Sequence, residues 1–179
     1  EPVLKVGEVV GNISAEAAEI FGLSKKTVVV EGTADCNACM FGVGGVRPNG
    51  MTLIGGTSTC LLGLSEEEFH VDGVNGTYPN CMYDGTSLLE GGQTAAGSIL
   101  TWFKNNLLPA AWMQEAVNRN MNIYDLITEK ASAVPIGCDG LVMMDYFQGN
   151  RAPYADSKAR GMFWGLSIGT TPAHLARAV

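Results

Sequence analysis

Short apolar runs that end near glycine recur along the chain and predict β-strands. Runs of about four to eight apolar or β-branched residues between turn residues are typical of strands packed in a sheet. By this criterion, strands cover residues 26–31, 51–54, 59–64, 87–90 and 141–147. The pair Gly91-Gly92 follows the fourth run and is predicted to end that strand.

Other segments carry apolar residues at helical spacing. Ser14 is a suitable N-cap for a helix over residues 14–21, and Gly22 is typical of the residue that ends one. Similar spacing predicts helices over residues 37–43, 94–107 and 123–133, and Pro172 suits the first turn of a final helix. Both strands and helices are therefore expected.

Glycine, proline and asparagine mark the predicted connections. Pro48-Asn49-Gly50 predicts the turn of a hairpin between Val46 and the strand over 51–54, with a domain boundary at 45–50. Residues 66–80 are polar and glycine-rich, which predicts a surface loop with at most a short strand around 69–71. Residues 148–154 are expected to form an ordered loop.

Composition and charge narrow the classes of function. Of the 179 residues, 46% are hydrophobic, so the chain can bury a substantial core. The net charge of −7, with 11 lysine and arginine residues, argues against a nucleic-acid surface, which needs clustered cations. No apolar run approaches the roughly 20 residues that span a bilayer. We therefore expect neither a nucleic-acid nor a membrane partner, and a cytoplasmic protein.

The cysteines form an odd set without the spacing of a disulfide framework, which favours a reducing compartment. They are Cys36, Cys39, Cys60, Cys81 and Cys138. Cys36 and Cys39 form a close pair that would suit half of a zinc site or a redox pair. No second pair follows, and the chain has only 2 histidines. Buried thiols are the commoner outcome, so no metal ligand is predicted.

Two polar motifs at the ends of apolar runs carry the candidate chemistry. Residues 32–35, Gly-Thr-Ala-Asp, present a carboxylate at a helix start, where Asp35 can accept a proton. In residues 55–59, Gly-Gly-Thr-Ser-Thr, backbone N–H groups and hydroxyls can approach phosphate oxygens because glycine lacks Cβ. Together the motifs suggest phosphoryl transfer to a hydroxyl. The alternatives are that Asp35 caps the following helix and that Thr57 is an ordinary hairpin threonine.

Four motifs in order resemble the FGGY family of carbohydrate kinases over essentially the whole chain, and such a set is far more specific than one Gly-Thr-Ser turn. They are residues 32–42, 55–60, 90–98, and the C-terminal signature formed by 161–166 and 174–179. The resemblance implies an α/β, actin-like (ribonuclease H-like) ATPase fold with an active site between two domains. It also implies an internal fragment, with residues 1–46 ending the sugar-binding domain and residues 47–179 beginning the nucleotide-binding domain.

The same resemblance implies roles for four residues. Asp35 takes the position of the catalytic base, and Thr57 takes that of the threonine that contacts the nucleotide phosphates. Gly97 and Thr101 would lie along the nucleotide, while close helix packing and a solvated helix position are the respective alternatives. The implied cofactors are ATP and Mg²⁺, although the family's first phosphate hairpin and magnesium-orienting acid would lie outside these residues.

Within the family, three motifs are most similar to the ribulokinase and related pentulose kinase branch: Gly-Thr-Ser-Thr-Cys at 56–60, Glu-Gly-Gly-Gln at 90–93 and Gly-Asn-Arg-Ala-Pro-Tyr at 149–154. Cys36 stands where glycerol kinases have a glutamine that touches substrate, which counts against glycerol. The expected partners are a ketopentose, such as ribulose or xylulose, or a related polyol, and ATP; a homodimer of the complete protein is compatible with the family. The alternative is a non-catalytic nucleotide- or sugar-binding module of the same fold.

Overall fold

The computed structural model describes residues 3–68 and 70–179, which group into two compact units. The first unit contains the residues up to Ile54 together with Leu61–Gly91, and the second contains Gly55–Cys60 with Gly92–Val179. The short strand predicted around 69–71 lies partly outside the described residues, because Phe69 does; His70 and Val71 are not in a strand.

The first unit begins with alternating strands and helices: β1 (Val9–Asn12), α1 (Ala15–Phe21), β2 (Val28–Val30) and α2 (Asp35–Gly42). The Ser14 hydroxyl accepts the Ala17 N–H at 3.1 Å, and Gly22 ends α1 with φ of 65°. Both predicted ends of this helix are therefore confirmed. Strand β1, which pairs antiparallel with β2, was missing from the prediction.

A four-stranded sheet follows, formed by β3 (Met51–Gly55), β4 (Thr59–Ser65), β5 (Gly76–Pro79) and β6 (Ser87–Gln93) in the order β3-β4-β6-β5. The prediction of a hairpin from Val46 was wrong in part. A turn does form at Pro48-Asn49, but residues 43–47 directly before it are not in a strand, and the Val46 carbonyl accepts the Tyr83 hydroxyl at 2.9 Å. The strands predicted over 51–54 and 59–64 are confirmed as β3 and β4, and the turn at 56–58 joins them.

Two further predictions for this sheet were wrong. Strand β5 forms within the predicted 66–80 loop, because its backbone pairs antiparallel with β6, as in the Thr77–Leu89 pair. Strand β6 continues through Gly91-Gly92 instead of ending there. A Cβ atom on Gly92 would collide with the Thr59 carbonyl oxygen, so the glycine permits close backbone approach within the strand instead of breaking it.

The second unit is mainly helical, with α3 (Gly97–Asn106), α4 (Ala110–Asn118), α5 (Ile123–Ser132) and α6 (Pro172–Ala178). Its buried core includes Phe103, Ile127, Ala131 and Ala176. Helix α5 confirms the predicted helix over 123–133 to within one residue at its end. Helix α4 was not predicted, and α3 begins three residues after the predicted start because its first N–H groups bond to another segment, as described below.

The remaining strands, β7 (Val142–Met144) and β8 (Met162–Trp164), form an antiparallel pair. Strand β7 is shorter than the predicted 141–147, and β8 was not predicted. The 148–154 loop is ordered as predicted, because the buried Asn150 side chain donates to the Ala152 carbonyl at 2.8 Å and accepts the Tyr154 N–H at 2.7 Å. Pro172 begins α6 as predicted.

None of the helices in the described ranges, 3–68 and 70–179, is both long and apolar enough to cross a bilayer.

Candidate functional site

The turn between β3 and β4 is docked onto the start of α3. The N–H groups of Ala96 and Ser98 donate to the Thr57 carbonyl at 3.0 and 3.2 Å, and the Gly97 N–H donates to the Gly56 carbonyl at 3.0 Å. These contacts satisfy N–H groups that a helix start otherwise leaves without partners. The helix terminus therefore holds the turn in place, and any anion at this junction would have to be bound by donors of the turn.

A cavity of about 470 Å³ lies beside this junction, lined by Gly56, Thr57, Gly97, Ser98 and Thr101. Thr57 is exposed, and its backbone N–H and hydroxyl make no hydrogen bond within the part of the chain that the structure describes. Two donors on one fixed turn are suited to bind the oxygens of an anion. The residues present thus fit a phosphate group, which is the feature expected from the sequence at Thr57.

Gly97 has a steric reason to be glycine. A Cβ atom at this position would lie 2.6 Å from the Gly56 carbonyl oxygen, which belongs to the backbone and cannot turn aside. Close packing, one of the two interpretations of Gly97 from the sequence, is therefore realised. The residue also lines the cavity, so the packing role does not compete with a role beside a nucleotide.

Thr101 lies one helical turn after Gly97 and connects the cavity to α5. Its hydroxyl is 3.4 Å from the Gly97 carbonyl and 3.4 Å from the Tyr124 hydroxyl. The Lys104 ammonium lies 5.4 Å from the centre of the Tyr124 ring. The hydrogen bond with Thr101, and then the charge of Lys104, hold the pKa of the Tyr124 phenol below its usual value.

Sequence reasoning missed Ser98, which lines this cavity, and Tyr124, which contacts Thr101. The hydroxyl of Ser98 is buried without a hydrogen-bond partner among the described residues. Ser98 sits inside the predicted 90–98 motif, so its position next to Gly97 was a usable signal. Tyr124 gave no such signal, because it and Thr101 are 23 residues apart along the chain and lie in different helices.

Asp35 is the first residue of α2 in the first unit. Its side chain is exposed, and Oδ1 accepts the Cys36 N–H at 2.7 Å. Ala34 occupies the N-cap position, so the interpretation of Asp35 as the N-cap is wrong, although its carboxylate does bond to a first-turn N–H. Thr57, Gly97 and Thr101 meet around one cavity in the second unit, and Asp35 belongs to the first.

The five cysteines are free thiols in the residues that the structure describes. Among residues 3–68 and 70–179, no group of three or more histidine, cysteine, aspartate or glutamate side chains could hold a metal ion. Cys39 is exposed, and the Cys138 thiol donates to the His174 carbonyl at 3.0 Å. Burial raises the pKa of the Cys138 thiol, which keeps it protonated.

The fold matches that of sugar kinases of known structure, which have the actin-like ATPase fold. The structure matches the xylulose kinase from Rhodospirillum rubrum with a TM-score of 0.79 and 31% identity, over 99% of this chain and 33% of that chain. It also matches the ligand-bound xylulose kinase from Lactobacillus acidophilus with a TM-score of 0.81 and 24% identity, over 98% of this chain and 33% of that chain.

The chain belongs to the FGGY family of carbohydrate kinases. The sequence model of the C-terminal domain of this family matches residues 51–179. Among curated relatives, Ribulokinase 2 of Staphylococcus saprophyticus is 36% identical over 177 residues, covering 99% of this chain and 32% of the relative. The ribulokinase of Staphylococcus aureus strain Mu3 is 34% identical, with the same coverage of each chain. The chain thus spans about a third of the length of these relatives.

Proposed function

We propose that the complete protein containing this chain is an ATP-dependent carbohydrate kinase, which transfers the γ-phosphoryl group of ATP to a sugar hydroxyl. The observation that carries the proposal is the turn at 56–58, whose Thr57 N–H and hydroxyl border a cavity and have no partner among the described residues. Membership of the FGGY family supports the same chemistry. The reaction class follows because a fixed turn with two free donors suits phosphate, and family relatives are named as kinases.

Thr57 is proposed to bind the phosphates of ATP. Its two donors are held by the bonds between the turn and α3, so they need no reorganisation as negative charge shifts during transfer. Gly97 and Thr101 are proposed to lie along the nucleotide on the same side of α3. ATP supplies the phosphoryl group, and Mg²⁺ neutralises its charge; we assign no magnesium ligand to a described residue.

Asp35 is proposed as the general base. The Asp35 side chain is exposed, so its carboxylate is placed to accept the proton of the attacking hydroxyl. In phosphoryl transfer the protein contributes mainly positioning and charge stabilisation. A carboxylate at a helix start provides a proton acceptor in a fixed position. In the complete protein, closure around substrate would exclude water and protect ATP from hydrolysis.

The proposed substrate is a ketopentose of the ribulose or xylulose type, or a related polyol. Relatives at 34–36% identity are named ribulokinases, and a structural neighbour at 31% identity is named a xylulose kinase. Cys36 follows the proposed base, where the resemblance puts glutamine in glycerol kinases. We also propose that the domain boundary lies between residues 46 and 47. The complete protein is proposed to be cytoplasmic, and a homodimer is an assembly to be tested.

The experiment that tests this function is a coupled ADP-release assay on the complete protein with magnesium and ATP. A panel of ketopentoses, ketohexoses and polyols is compared with glycerol. We expect ADP release that depends on a ketopentose or polyol. If no sugar stimulates release while ATP still binds, the second candidate, a non-catalytic nucleotide-binding module, replaces the kinase.

Removing the Thr57 hydroxyl tests the phosphate-binding turn. A hydrogen bond to a charged group contributes about 1.5–3 kcal/mol, so Thr57→Ala is expected to lower kcat/KM for ATP by roughly 10- to 100-fold. Thr57→Ser keeps a hydroxyl and should retain most of the activity. Ser132→Ala, which removes a hydroxyl bonded to the Thr128 carbonyl in α5, is the control. Equal values of kcat/KM in Thr57→Ala and wild type would exclude the hydroxyl from phosphate binding.

A further inference from the structure

We propose that Asn37 is a positioning residue that fixes the direction of the Asp35 carboxylate, through hydrogen bonds that join the start of α2 to Thr33 and Cys81. The inference rests on the proposed function, because it gives Asn37 a role in the same reaction. Asn37 lies within the 32–42 motif but received no role from the sequence, and Cys81 lies outside every motif. The juxtaposition appears only when the chain is folded, since Asn37 and Cys81 are 44 residues apart.

Asn37 has a buried polar side chain that forms hydrogen bonds with residues of the first unit. It is 7% exposed and lies in the first turn of α2. Its Nδ2 group donates to the Thr33 hydroxyl at 3.2 Å and to the Cys81 sulfur at 3.4 Å. Its Oδ1 atom accepts the Cys36 thiol at 3.6 Å. Both ends of the amide are therefore satisfied, as burial of a polar group requires.

The two residues joined by the hydrogen bond between Asn37 and Thr33 flank Asp35 in the sequence. Thr33 precedes Asp35 by two residues and Asn37 follows it by two, so the hydrogen bond between them spans the point where the loop becomes a helix. Alanine at the N-cap position provides no side-chain acceptor. The Asn37 amide thus supplies the cross-link that a capping side chain otherwise gives, and it leaves the carboxylate of Asp35 exposed.

Cys81 connects this turn to a second fixed segment. The neighbouring Asn80 side chain accepts the Gly85 N–H at 2.9 Å, and the Asn80 N–H donates to the Thr86 carbonyl at 2.7 Å. The 80–86 turn is therefore held by its own hydrogen bonds, and the Cys81 sulfur is a defined anchor for the Asn37 amide. A sulfur acceptor forms a weak hydrogen bond, so this contact orients the Asn37 amide more than it stabilises the fold.

Positioning has a measurable consequence in phosphoryl transfer. A base displaced by about 1 Å can lower the rate by about 100-fold, because the reacting groups must be aligned. Loss of the Asn37 contacts is therefore expected to lower kcat and to leave the KM for ATP unchanged, since the nucleotide is assigned to residues of the second unit. A merely structural role would instead lower the melting temperature without this separation of kcat from KM.

The test compares pairs of variants in the complete protein by sugar-dependent ADP release. Asn37→Leu is expected to lower kcat by about 100-fold, with Cys81→Ala and Thr33→Val each lowering it by about 3- to 10-fold. Cys81→Ser and Thr33→Ser keep an acceptor and should restore kcat to within about twofold of wild type. Cys39→Ala removes an exposed thiol of the same helix and should have no effect.

Two readouts separate the possible failures. If Cys81→Ala, Thr33→Val and Asn37→Leu keep wild-type kcat and melting temperature, the positioning role is refuted. Should Asn37→Leu fail to fold, the Cys81 and Thr33 pairs still decide the question. Hydrogen exchange at the N–H groups of residues 36–38 does not depend on activity: it should accelerate in Cys81→Ala and not in Cys81→Ser. Absence of sugar-dependent ADP release in wild type would refute the proposed function, and equal exchange in both Cys81 variants would refute the anchor.

Discussion

Asp35→Asn in the complete protein is expected to lower kcat by roughly 10²- to 10⁴-fold, the range that general base catalysis contributes. The amide cannot accept the proton of the attacking hydroxyl. It keeps the size of the carboxylate and an oxygen that can accept the Cys36 N–H, so the fold should be retained. The measurement is sugar-dependent ADP release at saturating ATP, together with the melting temperature.

Asp125→Asn is the matched control, because Asp125 is an exposed acidic residue in the first turn of α5. Both variants remove one negative charge near a helix N-terminus, so both should lose a similar, small amount of stability. Only Asp35→Asn should lose activity. An Asp35→Asn enzyme with kcat within twofold of wild type would remove Asp35 from the role of base.

Gly97→Ala is expected to disturb the phosphate-binding turn. The new Cβ atom would lie 2.6 Å from the Gly56 carbonyl oxygen, so the turn must move away from α3. Overpacking of this kind costs about 1–3 kcal/mol. Because Thr57 is held by the same junction, we expect both a lower melting temperature and a weaker affinity for ATP, measured by calorimetry on the complete protein.

Gly91→Ala is the comparison for this variant. No atom lies within 4 Å of the Cβ position that alanine would occupy at Gly91, and the residue lies in β6. We expect near-wild-type ATP affinity there. If Gly97→Ala binds ATP with wild-type affinity, the junction between the turn and α3 does not control nucleotide binding.

Local sequence signals predicted the elements that carry the candidate chemistry. Ser14 and Gly22 mark the ends of α1 because capping depends on residues next to the helix. Asp35 was expected at a helix start for the same reason, and it lies there. The turn at Thr57 was visible because its glycines and hydroxyls are adjacent in the chain. Predictions of this kind need no knowledge of distant partners.

Features that depend on distant partners were missed or misread. Strand β5 forms in a polar segment because β6 supplies its hydrogen bonds. Gly92 was interpreted as a strand end, although it allows close approach to the Thr59 carbonyl within β6. The later start of α3 arises because the Gly97 N–H bonds to the Gly56 carbonyl. In each case the partner belongs to a different segment of the chain, about which local patterns give no information.

Helix α4 is a different kind of miss, because its signal was local. Pro109 lies just after the predicted 94–107 helix, and it directly precedes a run rich in helix-forming residues. In the candidate site, the sequence could indicate Thr57, Gly97 and Thr101 but not the Tyr124 hydroxyl next to Thr101. The same limit applies to the contact between Asn37 and Cys81. Sequence motifs can identify the residues of a site, but the neighbouring side chains that contact those residues are set by the packing of the folded chain.

The most direct measurement follows the γ-phosphoryl group itself. The complete protein is incubated with magnesium and ATP labelled in that group, with and without a ketopentose, and the labelled products are separated. The kinase account predicts that the label is recovered as sugar phosphate, and that Asp35→Asn forms almost none. Label that stays on ATP or passes only to inorganic phosphate with every sugar tested would contradict it.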